Sequence, residues 1–318
     1  MPTPLVSILV PCHNAAPWLA QTLESALAQT WPATEIIVID DGSGDNSVAL
    51  ARTFEPRGVR VLTQPNAGAS AARNRALRAS RGEFIQFLDA DDLLSPAKIA
   101  EQLALLAVRP AGAVATCAWG RFTNDPAQAR FADEVVFCDF ARAVDFLVRC
   151  GDDGAMMHPS AWLVPRAVAE RAGPWDETLS LNDDGEYFCR VALAAPEIAF
   201  CAAPGARSYY RSGLPDSLSQ QRNERARRSL FRSLELVERH LRAAEDSPRT
   251  RRAAAGHYQR FVHMFFPFPA DLLQAAEARI AALGGASFSL PPMGPKTAAL
   301  ARLVGWKNVW RLKRWLRR

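Results

Sequence analysis

The sequence has no pair of cysteines at the spacing of a redox motif or a structural zinc site. Its six cysteines are spread along the chain as Cys12, Cys117, Cys138, Cys150, Cys189 and Cys201. None forms a Cys-x-x-Cys pair, and no cysteine–histidine spacing is typical of zinc. We therefore expect reduced thiols in a cytosolic protein.

The sequence also has no segment that would direct it into or across a membrane. No apolar run reaches about 18 residues, and the N-terminus lacks the basic-then-apolar pattern of a signal peptide. We expect a chain that neither enters the secretory path by such a signal nor spans a bilayer.

Two glycine-rich phosphate-binding motifs are missing. The first predicted strand is followed by Pro11-Cys-His-Asn-Ala-Ala16, without a glycine. This excludes the G-x-G-x-x-G turn of a Rossmann dinucleotide fold and the glycine-rich, lysine-bearing loop of a nucleotidyltransferase of similar fold. No Walker A motif occurs either, so any bound phosphates must be held in another way.

Acidic residues are absent from the end of the chain. Residues 296–318 carry eight Lys and Arg and no Asp or Glu, so the rest of the chain has a net charge of −3 against +5 for the whole. The basic pI therefore belongs to the tail. The 49% hydrophobic share of the 318 residues is typical of a soluble globular protein with a sizeable core.

A run of acidic residues follows a strongly apolar segment. Residues 84–88 read as a buried strand that ends in Asp89, Asp91 and Asp92. Ser95 and Pro96 then predict the start of a helix that runs through residue 108. Close carboxylates repel one another unless a cation shares them, and oxygen ligands suit Mg²⁺ or Mn²⁺ beside a phosphorylated ligand. The alternative is that Asp91 or Asp92 begins a solvated loop or caps the next helix.

Polar residues also end two other predicted strands. Residues 6–10 lead to His13 and Asn14, and residues 35–39 lead to Asp40 and Asp41. Strands alternating with helices predict a parallel sheet, in which these ends share one edge, where ligands bind. Asp40 suits a hydrogen bond to a base or ribose, or else caps a turn.

Residues 5–110 resemble the nucleotide-binding half of a family 2 glycosyltransferase with the GT-A fold. The matching segments are 6–14, 24–30, 35–43, 66–74 and 87–92, the last resembling the DxD motif. The resemblance implies that Asp89 and Asp91 hold Mn²⁺ or Mg²⁺ and the diphosphate of a nucleotide-sugar. The donor-binding residues it implies are Pro11, His13, Asn14, Asp40, Asp41, Asn66, Gly68, Arg73, Asp89 and Ala90.

Residues 173–188 resemble the family's acidic segment, which supplies the general base. The matching acids are Asp183 and Asp184, with Glu186 one turn further along a helix. A sugar hydroxyl is a poor nucleophile, so a carboxylate must take its proton as it attacks. We favour Asp184 over Asp183, although both also suit a helix N-terminus.

Two departures from the family pattern concern this second half. Gly185 stands where an aromatic residue is usual, and Gly213 replaces the histidine in a segment, residues 208–219, that resembles Y-R-x-H-x-x-S-x-S. This leaves Arg211 as a diphosphate contact. His158 and Trp162 are candidates for the acceptor wall, or else core and turn residues, and Glu186 joins this acceptor or diphosphate group.

Beyond residue 220 the sequence predicts a helical extension with helices near 222–242, 249–265 and 272–283.

Residues 296–318 predict one basic amphipathic helix. Such a helix suits an anionic membrane surface or docking on the body. Nucleic acid is disfavoured as a partner because the body is acidic. Its apolar side comprises Val309, Leu312, Trp315 and Leu316, and its basic side Lys307, Arg311, Arg314 and Arg318.

We therefore predict an α/β GT-A protein with a mixed sheet, in which 1–219 is catalytic (1–110 nucleotide-binding, 111–219 acceptor-binding), 220–295 a helical extension and 296–318 the tail. The predicted activity is inverting, metal-dependent transfer from a nucleotide-diphosphate sugar, with a UDP-sugar first among donors. The acceptor would be a glycan or lipid-linked glycan in cell-surface polysaccharide synthesis, in the cytoplasm or at the inner face of the membrane. The alternative is a catalytically silent binding protein of the same fold.

Overall fold

A five-stranded sheet lies at the centre of the first half of the computed structural model, which describes residues 3–214, 222–267, 270–291 and 293–315. The strand order is β3-β2-β1-β4-β7, with β7 antiparallel to β4 and the other pairs parallel. The strands are β1 (Val6–Cys12), β2 (Thr34–Asp41), β3 (Val59–Gln64), β4 (Phe84–Phe87) and β7 (Val164–Pro165). The predicted parallel sheet is confirmed.

Helices cover both faces of this sheet because successive side chains of a buried strand point to opposite faces. Ile8 packs in one hydrophobic cluster with the first and fourth helices, whereas Leu9 packs in the other with the third. These helices are α1 (Ala16–Leu27), α2 (Ser47–Arg52), α3 (Ala69–Ala79) and α4 (Lys98–Leu106). The continuous apolar strands of the sequence thus reflect burial on two sides.

The helix α4 begins later than predicted. Ser95 was expected to cap it, but the Ser95 hydroxyl donates to the carbonyl oxygens of Gly205 and Arg207. The hydroxyl is therefore engaged with a neighbouring strand, and the helix starts at Lys98.

A second sheet extends the fold toward the acceptor half. Its order is β5-β9-β6-β8, with β6 parallel to both of its neighbours. The strands are β5 (Leu93–Leu94), β6 (Val114–Phe122), β8 (Ile198–Cys201) and β9 (Arg207–Arg211), and the nearby helices are α5 (Ala143–Asp153), α6 (Arg166–Ala172) and α7 (Asp183–Ala194). The whole is a mixed α/β arrangement in which α7 begins at the predicted acidic pair.

The described residues from 222 onward include five helices: α8 (Glu224–Ala244), α9 (Pro248–Phe265), α10 (Ala270–Ala282), α11 (Pro295–Val304) and α12 (Trp306–Trp315). The single tail helix predicted for 296–318 is wrong, because Gly305 adopts a φ of 81° and separates α11 from α12. Residues 316–318, which include predicted face residues, lie outside the described ranges. Within the described ranges, no helix is both long and apolar enough to cross a bilayer.

The extension shares its core with the first half. Val237, Leu241 and Ala253 belong to the hydrophobic cluster that also contains residues of β4, α5 and α7. A second cluster joins α8, α9 and α10. The predicted boundary at 219/220 lies outside the described residues and remains a proposal.

Two glycines allow α5 and α9 to approach closely. A Cβ added at Gly256 would overlap the carbonyl oxygen of Gly151, and one added at Gly151 would overlap the backbone of Ala253. The backbones of the two helices are therefore in direct contact at this crossing.

Replacing Gly256 by Ala should destabilise the protein by about 1–3 kcal/mol, because the added methyl group must push two packed helices apart. Urea unfolding followed by circular dichroism measures this change. Gly294→Ala is the matched control, since an added Cβ there meets nothing within 4 Å. Equal stability of the two variants would show that the crossing tolerates a side chain.

Candidate active site

The ends of β1 and β2 bring the predicted donor residues together. Their parallel register pairs Cys12 with Asp40, so the polar residues after each strand are neighbours. The His13 ring lies 2.9 Å from the Asp41 carbonyl oxygen and 3.2 Å from the Asn66 amide nitrogen. Asn14 accepts a hydrogen bond from the Gly44 N–H at 2.8 Å. Pro11, from the same strand end, is buried beneath them.

Asp40 has a free acceptor at this edge. The side chain is buried, and its Oδ2 accepts a hydrogen bond from the Ser43 N–H at 3.1 Å. Its Oδ1 is also buried but has no hydrogen-bond partner among the residues that the structure describes. Burying an unsatisfied acceptor is costly, so this atom is suited to a donor group from a ligand.

Asp41 instead organises the neighbouring loop. Its Oδ1 accepts from the Gln64 side chain and the Ala67 N–H, and its Oδ2 accepts from the Gly68 N–H at 2.8 Å. Both oxygens are thus engaged by protein, whereas the sequence placed Asp41 among the donor contacts. Its position supports a role in holding residues 66–68 at the site.

Arg73 joins the two halves of the site. This buried guanidinium donates to Asp89 Oδ1 and to Asp183 Oδ2, each at 2.8 Å, and lies 4.5 Å from the Trp175 ring. Ser70, one turn earlier on α3, also donates to Asp183 Oδ2. Burial alone would lower the pKa of Arg73, but the carboxylates raise it. The acidic strand end and the start of α7 are therefore tied by one cation.

The acidic segment after β4 forms a tight turn. The Asp92 N–H donates to the Asp89 carbonyl oxygen at 3.1 Å, which brings the first and fourth residues close. Burial and the charge of Asp89 raise the pKa of Asp91 to about 6, and burial with the charges of Asp91 and Asp89 raises the pKa of Asp92 well above its usual value. These carboxylates repel one another, as expected of a site that a cation would stabilise.

The donor atoms around this turn fit a divalent cation. Ligand atoms of Asp89, Asp92 and His158 lie within 4.8 Å of one another, a set of carboxylates and imidazole that suits Mn²⁺. The predicted pair was Asp89 and Asp91, and Asp91 is not in this group. Asp92 and His158 are almost fully buried, whereas the Asp89 side chain is 27% exposed and Asp91 is half-buried. Of these four side chains, those of Asp89 and Asp91 are therefore the ones partly accessible to solvent.

Ala90, which separates the half-buried Asp89 and Asp91, contributes a backbone contact. Its carbonyl oxygen accepts a hydrogen bond from the Thr22 hydroxyl of α1 at 2.9 Å, and its side chain is buried. This contact fixes the turn against the donor half.

The predicted acceptor-wall residues lie in the interior. Trp162 is 1% exposed and stacks on Phe188 with ring centroids 4.9 Å apart. His158 Nε2 lies 3.3 Å from Asp92 Oδ2, and the imidazole faces the Tyr210 ring. Burial lowers the pKa of His158 to about 4. His158 therefore supports the acidic turn, and Trp162 fills the core.

Glu186 is not free to contact a ligand. Its buried carboxylate pairs with Arg190 at 2.7 Å and His240 at 3.1 Å. Burial alone would raise the pKa of Glu186, but the hydrogen bonds from His240 and Arg190 lower this pKa to about 2. The contact with His240 links α7 to α8, so Glu186 stabilises the helix that carries the acidic pair.

Arg211 holds the acidic turn rather than extending toward a phosphate. Its backbone N–H donates to Asp92 Oδ1, and its guanidinium donates to the carbonyl oxygens of Asp91 and Thr123 and to Gln21 Oε1. The guanidinium that was predicted to contact the diphosphate is thus engaged in hydrogen bonds within the protein. Gly213 is described as part of the segment, whereas 215–219 lie outside the described residues.

The two acids at the start of α7 differ in how they are engaged. Asp183 accepts from Arg73 and Ser70 with Oδ2 and from the Asp184 N–H with Oδ1. Within the described part of the chain, Asp184 Oδ1 accepts one hydrogen bond, from the Gly185 N–H at 2.9 Å. Burial and the charge of Asp183 raise the pKa of Asp184 to about 6. Asp184 therefore keeps one oxygen without a hydrogen-bond partner among the described residues, and its raised pKa suits a group that accepts a proton.

Sequence reasoning missed Ser70 and Trp175 as parts of the site. Ser70 lies three residues before Arg73, which places both on one face of α3, and this spacing was available as a signal. The Trp175 ring beneath Arg73 follows from tertiary packing, because it belongs to a separate loop 102 residues later.

Residues 7–155 match the model of the glycosyl transferase family 2. These residues include the whole donor edge and the acidic turn. The donor edge and the acidic turn are thus similar to glycosyltransferase family 2. The family 2 match ends before α7, so the acidic pair at 183–184 is placed at the site by the fold rather than by this match.

Curated relatives are similar to about a third of the chain. The chain is 45% identical over 93 residues to the uncharacterized glycosyltransferase YibD of Escherichia coli, which covers 29% of this chain and 27% of YibD. It is 36% identical over 109 residues to the putative teichuronic acid biosynthesis glycosyltransferase TuaG of Bacillus subtilis, covering 33% and 43%. The similarity thus spans less than half the length of these relatives.

Solved structures resemble nearly the whole chain. S. aureus TarS 1–349 in complex with UDP-GlcNAc superposes with a TM-score of 0.63 at 16% identity, covering 88% of this chain and 89% of TarS. The mannosyltransferase PcManGT of Pyrobaculum calidifontis, in complex with GDP-Man and Mn²⁺, gives a TM-score of 0.56 at 19% identity, covering 97% and 83%. At these identities the likeness shows the fold, which is GT-A with the predicted helical C-terminal part.

Proposed function

We propose that this protein is an inverting glycosyltransferase that moves a sugar from a nucleotide-diphosphate sugar to an acceptor hydroxyl. The observation that carries the proposal is the chain Asp89–Arg73–Asp183, which sets Asp184 beside the acidic turn. A carboxylate suited to accept a proton therefore stands next to a turn suited to a cation and a diphosphate.

The donor would bind at the ends of β1, β2 and β4. Asp40 Oδ1 is suited to accept a hydrogen bond from the base or ribose, and His13 and Asn66, which contact each other nearby, would border the donor. Asp89 and Asp91 would hold Mn²⁺ or Mg²⁺, which when bound neutralises the charge of the departing diphosphate. Asp92 and His158 would support the turn from behind.

Transfer would depend on Asp184. Its carboxylate would take the proton of the acceptor hydroxyl as the oxygen attacks the anomeric carbon from the face opposite the diphosphate. Asp183 and Arg73 would act as positioning residues, because their mutual ion pair fixes the start of α7. The negative charge around the site would stabilise the positive charge developing on the sugar.

The names of the similar proteins support a more specific proposal. TarS and PcManGT were solved with UDP-GlcNAc and GDP-Man, and PcManGT also with Mn²⁺, so we propose a UDP-sugar or GDP-sugar donor, UDP first. TuaG is named for teichuronic acid biosynthesis, which supports a glycan or lipid-linked glycan acceptor in cell-surface polysaccharide synthesis. Location in the cytoplasm or at the inner face of the membrane is part of this proposal.

The alternative function is nucleotide-sugar binding without turnover. Gly213 supports it, because it stands at the histidine of the family segment and Arg211, beside it, is held by the protein. This reading predicts binding of the donor with no release of diphosphate.

Calorimetric titration with UDP, GDP, CDP and dTDP, each with and without Mn²⁺, tests the proposal. We expect one diphosphate to bind in a metal-dependent way, and the matching nucleotide-sugar to be consumed when a glycan acceptor pool is added. Binding without consumption of any donor would favour the silent alternative. Failure of all four diphosphates would contradict the proposed donor site itself.

A further inference from the structure

The last two helices carry most of the large hydrophobic side chains that the described part of the chain leaves exposed. Six of the ten lie between residues 300 and 315. They are Leu300, Leu303, Val304, Trp310, Leu312 and Trp315. In a water-soluble protein, such concentration of exposed apolar surface marks an interaction site.

The inner side of this pair of helices is already occupied. Val309 is buried, Trp306 packs edge-on against Phe266 with ring centroids 5.1 Å apart, and Lys307 pairs with Glu277 of α10. The contacts that hold α11 and α12 on the body are therefore made by residues other than the six exposed ones. The surface formed by the six exposed side chains, here called the tail surface, is left over after docking.

Five of the six exposed residues fall on common helix faces. On α11, Leu300, Leu303 and Val304 have i, i+3, i+4 spacing, which places them side by side. On α12, Leu312 and Trp315 are likewise three residues apart, which places them side by side, and both are exposed. Leu303 and Trp315 are the most open, with 84% and 71% of their surface exposed.

Positive charge surrounds the tail surface. Lys296, Arg302 and Arg311 are exposed on the same two helices, and the sequence from 296 to 318 has eight basic residues and no acid. A second copy of the chain would bring two such tails together and be repelled, so self-association is disfavoured. Apolar and tryptophan side chains beside basic groups match the headgroup layer of an anionic bilayer.

We propose that the tail surface docks the protein on an anionic lipid bilayer. Leu303 and Trp315 enter the boundary between headgroups and acyl chains, and the basic residues contact lipid phosphates. The helices lie in the plane of the membrane and do not cross it. This inference does not depend on sugar transfer, since it concerns a surface on the helical extension.

Vesicle flotation of the full chain tests the proposal directly. We expect binding to phosphatidylcholine vesicles that contain about 30 mol% phosphatidylglycerol, and much weaker binding to phosphatidylcholine alone or at about 0.5 M salt. The double variant Leu303→Ser/Trp315→Ser should reduce partitioning about tenfold or more, because it removes the two most exposed apolar anchors. The double variant Val108→Ser/Val135→Ser, which changes exposed residues elsewhere, should bind like the wild type.

Calorimetry with the preferred nucleoside diphosphate checks that both variants keep a folded donor site. Unchanged vesicle binding of Leu303→Ser/Trp315→Ser would overturn the proposal. Equal binding to neutral and anionic vesicles would also overturn it. A concentration-dependent dimer in light scattering that this variant abolishes would assign the tail surface to a second copy instead.

Discussion

Replacing Asp184 by Asn should lower the rate of sugar transfer by about 10²–10⁴-fold, the usual contribution of a general base. The amide cannot accept the proton of the attacking hydroxyl. Donor binding should change little, because Asp184 is not among the residues that we assign to the donor. Steady-state kinetics with the donor identified by titration, together with calorimetric binding of its diphosphate, measure both effects.

The pH profile separates Asp184 from its neighbour. Because the pKa of Asp184 is raised to about 6, the fraction of ionised base falls tenfold per pH unit below that value. The rate should therefore rise with pH up to about 6 and then level off. Residual activity of Asp184→Asn should lack this rising limb, whereas Asp183→Asn should keep it at a lower pH, because the charge of Asp183 contributes to the raised pKa of Asp184. The reverse pattern would give the role to Asp183. Asp133→Asn, an exposed acid elsewhere, is the matched control and should behave like the wild type.

Replacing Asp91 by Asn should abolish the metal-dependent part of donor binding. Loss of a direct ligand should weaken Mn²⁺-supported binding of the diphosphate by about 100-fold. Losing a residue that only supports a metal ligand costs up to about this much, and a direct ligand should matter at least as much. The carboxamide removes the charge but keeps the shape of the side chain, so the turn should persist. Calorimetry at several Mn²⁺ concentrations measures this loss.

The variant His158→Gln decides between the two possible sets of ligands. If the ion is held by Asp89 and Asp91, His158→Gln should keep metal-dependent binding within a few-fold of wild type, although the protein should be less stable because Asp92 loses a buried partner. If Asp92 and His158 are ligands instead, His158→Gln should weaken metal-dependent binding by about 100-fold. In that case Asp91→Asn should retain this binding.

The donor half of the site could be read from the sequence because its organisation is local. Each strand of the sheet is an apolar run that ends in polar residues, and the topology of parallel strands aligns these ends. The predicted positions of Asp40, Asp89 and Asp183 at element ends follow from such short-range patterns, and the structure brings Asp89 and Asp183 together through Arg73.

The roles of His158, Glu186 and Arg211 could not be read in this way. Each is decided by a partner far along the chain, as when Arg211 donates to Gln21 or His240 approaches Glu186. Sequence spacing gives no information on which side chains meet across such separations. The break at Gly305 was missed for a different reason, since the amphipathic pattern continues on both sides of it and conceals a change of direction.

The shared core of the two halves has a practical consequence for shortening the chain. A polypeptide ending near residue 219 would look complete by its motifs, yet it would lack the α8 and α9 side chains that pack on α5 and α7, and it would expose Gly151 and Glu186 to water. Such a fragment should aggregate rather than retain reduced activity. A chimaera made with a related protein should accordingly keep residues 3–265 from one parent. Its junction should lie beyond α9.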